Sequence, residues 1–222
     1  MEISLPLILV NFKTYENAIG DKAIELARIH EKVAKETGIS IAIAVNALDL
    51  AMVCKQVTIP VFVQHCDPVG YGSFTGWIPP DQVKAVGAYG TLLNHAEHDL
   101  PIDVLDKTID MAKDSGLFTI VCAETPERGA EIMNFNPHLV AVEPPDLIGG
   151  DISVTHADPQ IVANAVALIG NGKTLVGAGV KTGKDVKASL DLGASGVLLA
   201  SGVTKSPDPY KTLRDLCSPL IK

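Results

Sequence analysis

Several apolar runs of this 222-residue chain end in residues that can move protons or hold charge. Asn11-Phe12-Lys13 closes the first, Asn94-His95-Ala96-Glu97 the fourth and Glu143-Pro144-Pro145 the sixth, while Gly177-Ala178-Gly179 and Ala200-Ser201-Gly202 close the seventh and eighth. A carboxylate can take a proton from carbon, an imidazole can donate a hydrogen bond to an oxygen that gains charge, and an ammonium can hold an anion. Backbone N–H groups in glycine-bearing turns can grip a phosphate. Each residue alone has an ordinary explanation: Lys13 as a solvated cation, His95 as a partner for a backbone group, Glu143 or Ser201 as a cap. As a set they become chemistry only if the fold brings them to one face.

The runs PLILVNF, ISIAIAV, IPVFVQH, GTLLNH, FTIVCA, HLVAVE, KTLVGAG and GVLLAS are rich in Val, Ile and Leu and apolar on both alternating faces, as buried parallel strands are. Between them lie helical stretches. Thr125-Pro126, Asp158-Pro159 and Ser206-Pro207 each put a capping oxygen before a proline suited to a first helical turn. Leu105, Ile109 and Ala112 recur at helical spacing before Gly116, and Ile24, Ala27 and Val33 mark an earlier helix that Gly38 can end. Strand and helix alternate throughout with no linker, so residues 1–222 are expected to form one domain, a single (β/α)8 barrel of the α/β class. In such barrels the segments after the strands share one rim.

Composition narrows the function. A formal charge of −8 argues against nucleic acid or an anionic membrane as partner, and no apolar run is long enough to span a bilayer. The start MEISLPLILVNFKTYEN lacks a basic leader, which sets the expected location as cytoplasmic. Cys54, Cys66, Cys122 and Cys217 are widely spaced and are expected as reduced thiols. His65, Cys66 and Asp67 have no second cluster at ligand spacing, so no metal is expected. The sequence assigns no further role to His65, Cys66 or Cys122.

The segments VNFKTY, TLLNHAE, VAVEPPDLIGG, VGAGV and GVLLASGV run in order across nearly the whole chain and resemble triosephosphate isomerase; the length and the PPDLIGG lid resemble its archaeal branch. NFK alone is a weak signal, but five segments in register with eight strands are specific. The resemblance implies a cofactor-free isomerase of glycolysis and gluconeogenesis that interconverts D-glyceraldehyde 3-phosphate and dihydroxyacetone phosphate through an enediolate. It implies Lys13, His95 and Glu143 as catalytic residues, with Glu143 the proton acceptor and His95 the electrophile at the start of a short helix. It further implies that Asn11, Lys13, Ile148, Gly179, Ala200 and Ser201 bind substrate and that Glu97 supports Lys13. PPDLIGGD becomes a lid, stiff at Pro144-Pro145 and loose at Gly149-Gly150. Ala96 and His98 depart from the serine and the basic residue usual in the family. HCDPVGYGSFTGWIPP resembles the family's interdigitating loop, with Thr75 near its tip and Trp77 as an anchor, which implies a homodimer or, as in some archaeal members, a homotetramer. A sugar-phosphate epimerase and a noncatalytic phosphate sensor are the competing readings; the first would want paired acids and metal ligands at the rim, and the second makes no use of Lys13, His95 and Glu143.

Overall fold

The structure, a computed structural model, describes residues 2–150 and 153–221. Eight parallel strands close in sequence order: β1 (Leu7–Asn11), β2 (Ser40–Val45), β3 (Val61–Val63), β4 (Gly90–Leu93), β5 (Phe118–Ala123), β6 (Leu139–Val142), β7 (Thr174–Gly177) and β8 (Gly196–Leu199). β1 also pairs with β8, from Leu7↔Gly196 to Val10↔Leu199, and this pairing seals the barrel. The expected (β/α)8 architecture is therefore the observed one.

Two apolar clusters explain why strands apolar on both faces are stable. Leu7, Leu9, Ala42, Ala44, Phe62, Leu92, Ile120, Leu139, Ala141, Leu175 and Leu198 fill the interior. Their neighbours Ile8, Val10, Ile41, Ile43, Val61, Val63, Val140 and Val197 face outward into the second cluster, under the helices. The period of two thus assigns each strand residue a side. Continued to the strand ends and just beyond, the inward series reaches Asn11, Gln64, Glu143, Gly177 and Ala200.

The helices are α1 (Asp21–Thr37), α2 (Ala47–Cys54), α3 (Pro80–Ala85), α4 (Ile102–Asp114), α5 (Pro126–Met133), α6 (Val154–Ala157), α7 (Pro159–Ile169), α8 (Gly183–Asp191), α9 (Ser201–Thr204) and α10 (Pro209–Cys217). Gly38 ends α1 in the left-handed conformation (φ 71°), and Leu105, Ile109 and Ala112 form the buried stripe of α4. The Thr125 and Asp158 side chains accept from Arg128 N–H and Gln160 N–H, caps that contribute about 1 kcal/mol each. The third expected cap is wrong by two residues: α10 starts at Asp208-Pro209, where Asp208 accepts from Lys211 N–H. Ser206 instead accepts from Asp208 N–H at 3.1 Å and meets the Thr212 hydroxyl at 2.8 Å, so it orients the capping residue.

All four cysteines are free thiols. Among the described residues no helix is long and apolar enough to cross a membrane, and no three His, Cys, Asp or Glu side chains are grouped to hold a metal ion.

Candidate active site

At the C-terminal end of β1, Asn11 is almost fully buried and its carboxamide oxygen accepts from Lys13 N–H at 2.9 Å and from Gln64 Nε2 at 3.0 Å. Gln64, just beyond β3, also donates to the Lys13 and Ala44 carbonyls. Lys13 sits at φ 50°, a left-handed turn that costs energy for a side chain with a Cβ and is held by these bonds. Its ammonium meets Glu97 Oε1 at 2.6 Å. The two residues are 84 positions apart and are joined only by closure of the barrel.

Beyond β4, Asn94 is left-handed (φ 56°), donates from Nδ2 to the Cys122 carbonyl at 3.0 Å and accepts Leu100 N–H at 2.9 Å. These bonds turn the chain so that His95 enters the rim, where it is 7% exposed. The helix expected at His95 is absent. Residues 96–98 form a turn closed by one bond, His98 N–H to the His95 carbonyl. The following Leu100 is tied back to Asn94, which diverts the chain before a second helical turn can form, and α4 begins only at Ile102. What the turn supplies is Glu97 N–H, donated to His95 Nδ1 at 3.1 Å. With Nδ1 fixed as acceptor, a neutral ring carries its proton on Nε2. Burial and then the Lys13 charge hold the His95 pKa below the ordinary value, so the neutral ring prevails.

Glu143 occupies the inward position beyond β6, also 7% exposed. Burial pushes its pKa up to about 7, against the opposing pulls of the Cys122 thiol, the Lys13 charge and the Ala178 N–H. Cys122 Sγ lies 3.5 Å from Oε2. A Cβ on Gly177 would stand 2.5 Å from Glu143 Oε1, so the carboxylate needs glycine beside it. His95 Nε2 and Glu143 Oε2 are 3.7 Å apart, beyond hydrogen-bond length, and the imidazole proton is not consumed by the carboxylate.

Two recesses meet at this pair. The larger, about 230 Å³, is lined by Asn11, Lys13, Gln64, His95 and Glu97 among others. The narrower, about 30 Å³, is lined by Glu143, Ile148, Gly179, Ala200 and Ser201 with their neighbours. All nine site residues expected from the sequence therefore fall on this rim. Ala178 and Gly179 are both left-handed (φ 73° and 68°), and Ser201 opens α9, so backbone N–H groups are available at the narrow recess. Ile148 differs in one respect: its N–H donates to the Pro145 carbonyl at 3.1 Å, inside a one-turn 3₁₀ segment (Pro145–Leu147). In the lid segment, Gly149 is left-handed (φ 73°) with no atom of the described residues near its absent Cβ, and Asp151 lies outside the described residues. Sequence reasoning missed Gln64 and Cys122 as parts of the site, and read Gly177 only as part of a glycine-bearing turn.

A closed parallel barrel with its ionisable groups gathered beyond the C-terminal strand ends defines the class of protein: a TIM-barrel enzyme. A sequence profile of the triosephosphate isomerase family matches residues 6–218. Proteins named triosephosphate isomerase include one from Methanosarcina acetivorans, 44% identical over 215 residues that cover 95% of this chain and 97% of the relative. Others come from Pyrobaculum calidifontis, 42% identical with 98% and 97% covered, and Methanocaldococcus jannaschii, 42% identical with 95% and 98% covered. The chain belongs to the triosephosphate isomerase family.

Proposed function

We propose that Glu143 is the base of this isomerase, that His95 and Asn11 donate to the oxygen on which charge develops, and that Lys13 holds the anionic substrate beside them. The reaction follows from the family: interconversion of D-glyceraldehyde 3-phosphate and dihydroxyacetone phosphate, a step of glycolysis. We extend it to gluconeogenesis, since the equilibrium runs both ways, and locate it in the cytoplasm with the other triose chemistry.

Moving a carbonyl to the neighbouring carbon requires removing a proton next to it and returning one to the other carbon, through an enediolate. One carboxylate between the two carbons suffices for both transfers. Glu143, with its pKa lifted to about 7 by burial, has the basicity this needs near neutral pH. A neutral His95 with its proton on Nε2 donates to the enediolate oxygen without a change of ring charge, and preorganised donors of this kind contribute about 3 kcal/mol each. Asn11 has its carboxamide oxygen engaged by Lys13 N–H and Gln64, which leaves its Nδ2 donors for substrate. Glu97 steadies the Lys13 ammonium.

In this reading the backbone at Gly179, Ala200 and Ser201 grips the phosphate, which takes no part in the isomerisation and supplies binding energy for positioning. Ile148 joins once its turn opens, and the swing of the lid about Gly149-Gly150 excludes water and slows phosphate loss from the intermediate. No metal or cofactor is used. The loop of residues 65–80, with Tyr71, Phe74 and Trp77 exposed, docks a second copy of the chain into a homodimer; a homotetramer is the alternative assembly.

The observation that carries the reading is the pair formed by a buried carboxylate and an imidazole with its Nδ1 pinned, 3.7 Å apart. A metal-free isomerase assay with glyceraldehyde 3-phosphate tests it. Glu143→Gln should lose on the order of a hundredfold to ten-thousandfold in kcat, as removal of a general base does. Equal rates in the two proteins would remove Glu143 from this role.

A further inference from the structure

At the opposite end of the barrel, a recess of about 380 Å³ opens beside Tyr89, Phe118 and His138, at the starts of β4, β5 and β6. Lys84 from α3 and Lys113 from the last turn of α4 line it. Lys84 Nζ donates to the Gly116 carbonyl at 2.7 Å and Lys113 Nζ to the Asn136 carbonyl at 2.9 Å. A third ammonium, Lys173, holds the His138 carbonyl at 3.2 Å. Each ammonium has three N–H donors and uses one of them on these carbonyls. Among the described residues none of the three lysines forms an ion pair with a carboxylate. Asp81, on the same helix as Lys84, is engaged by the Ser115 hydroxyl at 2.6 Å.

Two cations lining one mouth, with a third on the His138 carbonyl, make a local positive field in a chain of formal charge −8 that the isomerase chemistry does not use. His138 adds a directed donor. Its Nδ1 accepts Thr119 N–H at 3.0 Å, so the neutral ring carries its proton on Nε2. Burial, then the Lys113 and Lys173 charges, hold the His138 pKa below the ordinary value. The ring stacks on Phe118 at 4.2 Å between centroids, and Tyr89 stands 5.7 Å from Phe118, giving the recess an aromatic wall.

We propose that this recess binds a small phosphate-bearing ligand through the Lys84 and Lys113 ammoniums and the His138 Nε2–H, at a site separate from the isomerase rim. A dianion with several acceptor oxygens matches ammoniums that retain spare donors, and an ester gains contact with the aromatic wall that inorganic phosphate lacks.

The test is an NMR titration of the His138 ring in the full-length protein with inorganic phosphate and, separately, with AMP, against sodium chloride at matched ionic strength. The expected result is a saturable change in the His138 signals and a rise in its pKa with one or both probes, tighter for AMP if the natural ligand is an ester. Lys84→Gln combined with Lys113→Gln should weaken binding by at least about tenfold, the scale of losing two charge-assisted bonds, with isomerase activity unchanged. No saturable change with either probe, a change reproduced by chloride, or equal affinity in the double variant would overturn the proposal. If the double variant fails to fold, the wild-type titration still decides, because its chloride control separates a site from ionic screening.

Discussion

A carboxylic acid held near pKa 7 makes the reaction sensitive to pH in a fixed direction. The base works only when ionised, and because burial raises the Glu143 pKa, acid removes it well above the ordinary carboxylate range. We predict that kcat/KM, which reports the free enzyme, reaches a plateau above about pH 7 and falls about tenfold per pH unit below it. A pH–rate profile that stays level down to pH 5 would contradict the assignment. Much at this scale was legible in the sequence, because Asn11, Glu143 and Ala200 lie directly after apolar runs and continue the inward period of their strands. The same rule reaches Gln64 and Gly177. Both escape a search for reactive groups, because glutamine carries no reactive chemistry and the importance of Gly177 lies in the space it leaves for Glu143. Cys122 was legible as core and not as a thiol against a carboxylate, since that contact joins β5 to a residue beyond β6.

Elements are most legible where two signals agree, as at Thr125-Pro126 and Asp158-Pro159. Ser206-Pro207 and Asp208-Pro209 offer the same signal twice within four residues, and only the folded contacts select the second. The short helix at His95 failed because side-chain bonds from Asn94 outweigh weak local helix preference. Helix α1 carries a cost that the sequence does not display. His30 is fully buried against Phe12, with Nδ1 on the Leu26 carbonyl at 2.7 Å and, among the described residues, no partner for Nε2. Burial lowers its pKa from 6.5 to about 4. Below pH 6.5 the unfolded chain takes up the proton and the folded one does not, so stability falls until about pH 4 and this contribution then levels off. The loss is on the order of 3 kcal/mol, at about 1.4 kcal/mol for each pH unit that separates the two values. His30→Leu should therefore gain stability relative to the parent as pH falls from 7 to 4. Urea midpoints at several pH values and one protein concentration measure this, and parallel curves would contradict it.

At the scale of the whole molecule, closure of the barrel follows from eight similar strands, while the proposed self-association rests on exposed apolar residues. Tyr71, Phe74 and Trp77 are 76%, 40% and 51% exposed on a loop pinned at its base by Asp67, which accepts Ile78 N–H at 2.7 Å. Leu48, 94% exposed, lines a recess of about 400 Å³ with Thr14, Ile19 and Asn46, a second exposed apolar surface. Trp77→Ala should weaken self-association by about thirtyfold, the scale of one aromatic anchor. Sedimentation across a dilution series reads this, and unchanged dissociation would exclude Trp77 from the interface. Closure of the barrel also brings Lys13, His95 and Glu143 together, and the central claim is that one carboxylate there shuttles one proton. The most direct test is incubation of dihydroxyacetone phosphate with the enzyme in D2O, followed by NMR. We predict that the wild-type protein places a single deuterium on C1, through exchange of the Glu143 carboxyl proton with solvent, and that Glu143→Gln does so at least about a hundredfold more slowly. Labelling by Glu143→Gln at the wild-type rate would contradict the account.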